Sequence, residues 1–209
     1  MLQAVAHDVK NKLAELALRL FNTDVEAAAL ALDSADKLSQ ALLLDSPDQL
    51  VTHIDSAAPS DLVDELAAVN RQLFPTKTIT VDISSAPVLW YYDVSLMRLA
   101  LANAVHNALK NCNEGIALRA YTDAQSLVFE IRDDGAGFDE TLLRTDWNAH
   151  EHPHASTSNT GQHVYRTGLG LLLAHKIVLA HALEKDGVRR TGALTLSNDN
   201  GAVVRLSVP

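Results

Sequence analysis

Apolar residues recur at three- and four-residue steps through Leu2, Val5, Ala6, Val9, Leu13, Leu16, Ala17 and Leu20, which predicts an amphipathic helix from Leu2 to Phe21. Asn22, Thr23 and Asp24 supply turn and capping chemistry, and Glu26 falls in the following first turn. A second stripe, through Val25, Ala28, Ala29, Leu32, Ala35, Leu38, Leu42 and Leu43, predicts a helix from Asp24 to Leu44. So short a connection makes the pair an antiparallel hairpin. A hairpin cannot enclose its own apolar stripe. Two copies forming a four-helix bundle would enclose it, so a homodimer through residues 1–45 is the natural solution; packing on the rest of the same chain is the alternative.

Ser46-Pro47 stops the second helix, and Thr52 to Ser60 reads as a linker. From there the pattern is mixed. Ser60 to Phe74 is helical with Ser60 or Asp61 as cap, Thr78 to Ile83 alternates as a strand, and Val88 to Tyr91 is a short β stretch. Val94 to Asn111 is a strongly periodic helix. Ile116 to Thr122 and Ser126 to Arg132 are strands joined by a turn at Asp123-Ala124-Gln125. Phe138 to Arg166 is polar and weakly patterned. Gly168 to Leu183 reads as helix, and Gly192 to Asn198 with Ala202 to Val208 as a closing hairpin. The expected fold class is α+β: an N-terminal helical hairpin, then a sandwich of a mixed sheet with helices on one face. The expected units are a hairpin at 1–50, a linker at 51–59 and a domain at 60–209.

Composition narrows the function. The 209 residues carry a formal charge of −9, which argues against a nucleic-acid groove or an anionic membrane surface as the main partner. Cys112 is the only cysteine, so neither an internal disulfide nor a Cys-based zinc site can form. The start MLQAVAHDVKNK has charges where a signal peptide needs an apolar run, and no run of apolar residues is long enough to span a membrane. A reducing, cytoplasmic setting is the expectation.

Three segments carry chemistry. In LMRLALANAVHNALKN, Asn103 and Asn107 are four apart and share a helical face, with Lys110 three residues on. Two amides and a cation suit a metal–triphosphate cluster, though a polar stripe on a surface helix looks the same. In IRDDGAGF, Asp133 ends a strand, and Gly135 and Gly137 let the backbone turn sharply. A buried carboxylate there can accept from the exocyclic amine of adenine while Gly137 clears space for the ring; a plain Asp-Gly turn is the alternative. In TGLGLLLAHKIV, Gly168 and Gly170 precede a helix whose N-terminal N–H groups can hold phosphate oxygens. The spacing is neither that of a Walker A loop nor that of a dinucleotide fingerprint.

The order Asn-helix, strand–DxGxG, polar loop, GLGL–helix and terminal hairpin resembles the ATP-binding domain shared by two-component histidine kinases, gyrase-type topoisomerases and their relatives, the GHKL superfamily. Asn103, Asn107 and Lys110 match its N box, Asp133, Gly135 and Gly137 its first glycine box, and Gly168 and Gly170 its second. WYYDVSLMRLALANAVHNALK is similar to the histidine-kinase version, with Asp93 capping the helix. The resemblance covers roughly Ser60 to Pro209 and implies ATP and Mg²⁺ as cofactors, Asn103 and Asn107 as metal ligands, and Phe138 to Arg166 as a lid.

HDVKN at His7 to Asn11 resembles the phospho-accepting H box. Neutral imidazole is a nucleophile, and Asp8 can hold one ring N–H so that the other nitrogen attacks. Asn11, one turn on, could orient a water for dephosphorylating a partner aspartate. The resemblance implies autophosphorylation of His7, transfer to an aspartate of a response-regulator receiver domain, and possible phosphatase activity. A histidine phosphotransferase with a vestigial ATP domain, and a serine kinase of the anti-sigma type, are the alternatives. Lys12 stands where many H boxes carry Pro, so the helix should run straight. The lid has no Phe-rich box, Trp147 being its large aromatic between Phe138 and Tyr165. Six residues precede His7, so the sensor is expected on another molecule or on a segment outside this chain. His150, His152 and His154 could ligate Zn²⁺ or Ni²⁺, but such a run reads more simply as solvated. His106 and His175 read as packing or surface residues and Cys112 as a small structural one.

Overall fold

The computed structural model describes residues 50–145, 169–185 and 187–209. The chain divides into units Met1–Leu50 and Val51–Pro209, and the second is the subject below. The expected N-terminal hairpin, with His7, Asp8, Asn11 and the expected dimer contact, lies outside the described residues, as does most of the expected lid.

The first helix, α1, spans Pro59–Leu73 and buries Leu62, Val63, Leu66 and Ala67. Its N-cap is Ala58, with no side-chain cap bond, instead of the expected Ser60 or Asp61. Pro59 explains the shift, because the ring fixes φ and lacks an N–H that the first turn would leave unpaired anyway. The second helix, α2, spans Val94–Asn111, and the Asp93 side chain accepts from Leu96 N at 2.9 Å as its cap. A short α3 covers Glu140–Leu143, capped by Asp139, and α4 covers Leu169–Ala180.

The strands are β1 (Asp55–Ala57), β2 (Thr78–Asp82), β3 (Trp90–Tyr92), β4 (Gly115–Asp123), β5 (Ser126–Asp133), β6 (Ala182–Lys185), β7 (Val188–Thr191), β8 (Ala193–Asn198) and β9 (Ala202–Val208). The main sheet runs β2-β4-β5-β9-β8, with β2–β4 parallel and the other pairs antiparallel. One face, carrying Ile116, Leu118, Ala120, Leu127, Phe129, Ile131, Val204, Leu206 and Val208, is buried beneath the helices. This is the expected α/β sandwich with a mixed sheet.

The other face carries a cross-strand row of alternating charge: Asp82, Arg119, Glu130 and Arg205. Glu130 is only 3% exposed; Arg205 Nε donates to it at 2.7 Å, and Arg119 and Arg132 lie within 4 Å. Pairing from several sides offsets the desolvation of that carboxylate. Tyr92 packs edge-on against Phe129 with centroids 5.9 Å apart. Burial pushes the Tyr92 hydroxyl up to about 12, so it stays a donor to Ala58 O.

Two elements differ from the sequence reading. The stretch read as a linker holds β1, which pairs antiparallel with β3. The helix expected to reach Leu183 stops at Ala180, and Ala182–Lys185 pairs antiparallel with Val188–Thr191 as β6 and β7, with Gly187 at φ +73°. The end of α4 is imposed by tertiary bonds: Gly192 N donates to His181 O at 3.1 Å, which draws the chain out of the helical path.

Candidate functional site

The site is built along α2. Asn103 is half-buried and Asn107 and Lys110 exposed, one turn after another. Asn103 Nδ2 donates to Leu99 O of its own helix at 2.9 Å. A Cβ added to Gly170, in the first turn of α4, would sit 3.5 Å from Asn107 Nδ2 and 3.6 Å from Asn103 Oδ1. The second glycine segment and the two asparagines are therefore neighbours in space, some sixty residues apart in sequence. Gly168 lies outside the described residues.

Asp133 ends β5 on the helix-covered face, 6% exposed, paired in register with Ile116. Its Oδ1 accepts from Gly135 N at 2.9 Å and from Ala202 N at 3.1 Å. Oδ2 has no partner among the described residues. The following loop is fastened to the C-terminal end of α2. Asp134 accepts from the N–H groups of Asn113, Glu114 and Gly115. Those backbone hydrogen bonds, Glu114's foremost, hold its carboxyl below the usual carboxylate range against a weaker opposing desolvation. Asn103 to Asn111 spans about 12 Å along the helix axis. Gly170 stands at one end of that span and the Asp133 loop at the other.

The glycines of that loop have reasons the sequence did not show. A Cβ on Gly135 would lie 2.2 Å from Asn111 O, so the loop needs glycine to pack against α2. Gly137 has φ +80°, and its Cβ would come 2.8 Å from Asn198 Oδ1. Asn198 holds the next residue by both amide atoms, accepting from Phe138 N and donating to Phe138 O, each at 2.8 Å. Gly137 is expected to clear space for a ring; its backbone conformation and the Asn198 clamp require a glycine there independently of any ring. Asn198, Asp134 and Gly201 were missed in the sequence. Their signal is slight, a DD pair and an NDNG turn, because their partners are distant in the chain.

Among the described residues no cluster of three or more His, Cys, Asp and Glu could hold a metal, and His150, His152 and His154 lie outside them. A hard cation would depend on amide oxygens, which Asn103 and Asn107 offer on one helical face. Cys112 is buried, and burial pushes its thiol up, in keeping with a structural role. His106 packs edge-on against Phe74 and His175 is buried on α4. Among the described residues no helix is long and apolar enough to cross a membrane.

Residues 92–209, more than half of the chain and every described part of the site, match the family "Histidine kinase-, DNA gyrase B-, and HSP90-like ATPase". The chain belongs to this ATPase family. Within it, sensor protein KdpD of Clostridium acetobutylicum is 25% identical over 151 residues, 71% of this chain and 16% of that protein. The chain thus spans about a sixth of the curated relative it matches. Histidine kinase AdeS of Acinetobacter baumannii has the same fold at a TM-score of 0.59 and 15% identity, covering 96% of this chain and 95% of that one. The catalytic domain of histidine kinase ThkA gives 0.58 at 17%, covering 75% and 95%. Full-length ShkA in complex with AMPPNP gives 0.67 at 19%, covering all of this chain and 45% of that one. KdpD is a sensor protein and AdeS and ThkA are histidine kinases; this chain is similar to the first in sequence and to the other two in fold.

In this ATPase-family domain Gly170 admits a sharp test. A methyl there meets the asparagines only at ordinary van der Waals distance, so Gly170→Ala is expected to keep or slightly raise the thermal midpoint. If phosphates approach between α4 and α2, the same methyl intrudes on them, and ATP affinity should fall about ten-fold. Calorimetric titration with a melting curve checks both; unchanged affinity would place the phosphates elsewhere.

Proposed function

We propose that this chain binds ATP and Mg²⁺ along α2 and transfers the γ-phosphoryl group to His7, from which it passes to an aspartate of a response-regulator receiver domain. Asp133 is the observation that carries the nucleotide half. Two backbone N–H groups occupy its Oδ1, which leaves Oδ2, on a buried side chain, to accept from the exocyclic amine of adenine. Asn107 and Asn103 would hold Mg²⁺, which when bound neutralises triphosphate charge. Lys110 and the N–H groups near Gly168 and Gly170 balance and orient the phosphate oxygens.

In the transfer, one imidazole nitrogen of His7 bonds to the γ-phosphorus as the bond to the β–γ bridging oxygen breaks, and ADP leaves. Asp8 holds the other ring N–H so that the attacking nitrogen keeps its lone pair. Asn11 orients water in the reverse, phosphatase direction. The reading assigns residues 1–50 to a dimerising acceptor hairpin and the unit Val51–Pro209, which includes β1 and the start of α1, to the catalytic domain. It places the chain in the cytoplasm as a homodimer, with sensory input from another segment or molecule.

Calorimetric titration of the purified chain with ATP in Mg²⁺ tests the nucleotide half. Saturable binding that Asp133→Asn weakens is expected. Absence of binding would contradict the kinase reading and favour a phosphotransferase, which needs no ATP site.

A further inference from the structure

His181 is buried at 2% exposure immediately after α4, and the proposed chemistry makes no use of it. Its Nδ1 stands 2.7 Å from Ile177 O, and its Nε2 lies 3.0 Å from Asp93 N, which can only donate. The tautomer is thereby fixed: Nδ1 carries the hydrogen and donates to Ile177, and Nε2 accepts from Asp93. Asp93 is the cap of α2, and its carboxylate also accepts from His53 N at 2.7 Å and Leu96 N at 2.9 Å. An N-cap N–H has no partner within its helix, and Asp93 is 4% exposed, so the imidazole satisfies a donor that water could not reach.

The consequence lies at the other ends of the helices. α2 and α4 run antiparallel, with Asp93 beside His181 at one end and Asn103 and Asn107 beside Gly170 at the other. Asn103 is about 15 Å from the Asp93 end and Gly170 about 16 Å from the His181 end at the helical rise per residue. Over this stretch the buried residues of the two helices are apolar except His175, among them Met97, Ala100, Leu101 and Ala104 on α2 and Ala174, Ile177 and Val178 on α4. Apolar contact is non-directional and does little to fix how far one helix slides or rotates on the other. The His181–Asp93 hydrogen bond is directional and can fix it.

We infer that His181 is a positioning residue for the nucleotide site, clamping α4 to the cap of α2 so that Gly170 keeps its place against Asn103 and Asn107. The inference rests on the nucleotide reading above. Breaking the clamp leaves the asparagines and Gly170 chemically intact and misplaces them relative to each other.

The test uses the full chain at a temperature well below the midpoint of each variant, with ATP in Mg²⁺ as the probe. His181→Leu keeps apolar bulk and loses the acceptor, and should bind ATP roughly three- to thirty-fold more weakly. His181→Gln can place an amide oxygen where Nε2 stands, and should bind within about two-fold of the parent. If His181→Leu does not fold, His181→Asn carries the same expected loss, because its shorter amide serves Ile177 and falls short of Asp93. A His181→Leu variant that binds like the parent overturns the inference, as does a His181→Gln variant no tighter than His181→Leu. A parent chain that binds no ATP overturns the nucleotide reading along with it, a result distinguishable from both.

Discussion

Asp133→Asn is expected to fold like the parent and to bind ATP about ten- to a hundred-fold more weakly, the equivalent of one hydrogen bond to a charged acceptor. The asparagine keeps a carbonyl oxygen for Gly135 N and Ala202 N, which the structure places at 2.9 and 3.1 Å from Oδ1. The amide nitrogen must then stand where Oδ2 was, so a donor faces the amine of adenine, also a donor. A purine with an oxygen at C6 presents an acceptor there and should lose far less. Asp133→Ala is the less informative change, since it strands two buried N–H groups and costs about 1–3 kcal/mol of stability for each. Titration with ATP and with a 6-oxopurine triphosphate, beside a melting curve, separates binding from folding. Equal affinity of parent and Asp133→Asn for ATP would remove Asp133 from the site.

Gly201→Ala should be the most damaging single methyl in the described domain. The added carbon would lie 1.9 Å from Asp133 O and 2.7 Å from Asp133 C, and the residue stands at φ +140°. The obstacle is backbone, so no side chain can swing aside. Overpacking and strain together cost roughly 2–5 kcal/mol. For a chain of this size that lowers the melting midpoint by on the order of 10 °C. Because the displaced atoms belong to Asp133, ATP affinity should fall in the same variant. Gly187→Ala is the control: nothing lies within 4 Å of its Cβ, and only the cost of φ +73° remains, about 1 kcal/mol. Calorimetric melting of the two variants checks the contrast. Similar midpoints would mean that the β8–β9 turn yields, and that Asp133 is less firmly held than its contacts indicate.

What could be read from the sequence follows from how local each cause is. α2 was legible to its last residue because its period, its Asp93 cap and its stop all lie within the segment itself. The strands β4 and β5 were legible because an alternating pattern brackets a tight turn, with Ala124 at φ 51°. The three chemical segments were legible because Asn, Asp and Gly stand at unusual positions in otherwise apolar elements. Their convergence was not, since Gly170 meets Asn103 and Asn107, and Gly201 meets Asp133, across more than sixty residues. The first two residues of β6, Ala182 and Leu183, were read as helix because AHAL continues the apolar period of α4, whereas the bonds that end the helix come from Asp93 and Gly192. Ala58 was passed over as a cap because Pro59, rather than a side-chain oxygen, starts α1.

The central claim is that the nucleotide bound by this domain delivers its γ-phosphoryl group to His7. It is tested most directly by incubating the parent chain and His7→Gln with γ-labelled ATP and Mg²⁺, then treating the labelled protein with acid and with base. The account predicts label on the parent that survives base and is lost in acid, as a phosphoramidate is, and none on His7→Gln. Acid-stable label would contradict it and point to a hydroxyl acceptor, and equal label on His7→Gln would contradict it by placing the acceptor on another residue.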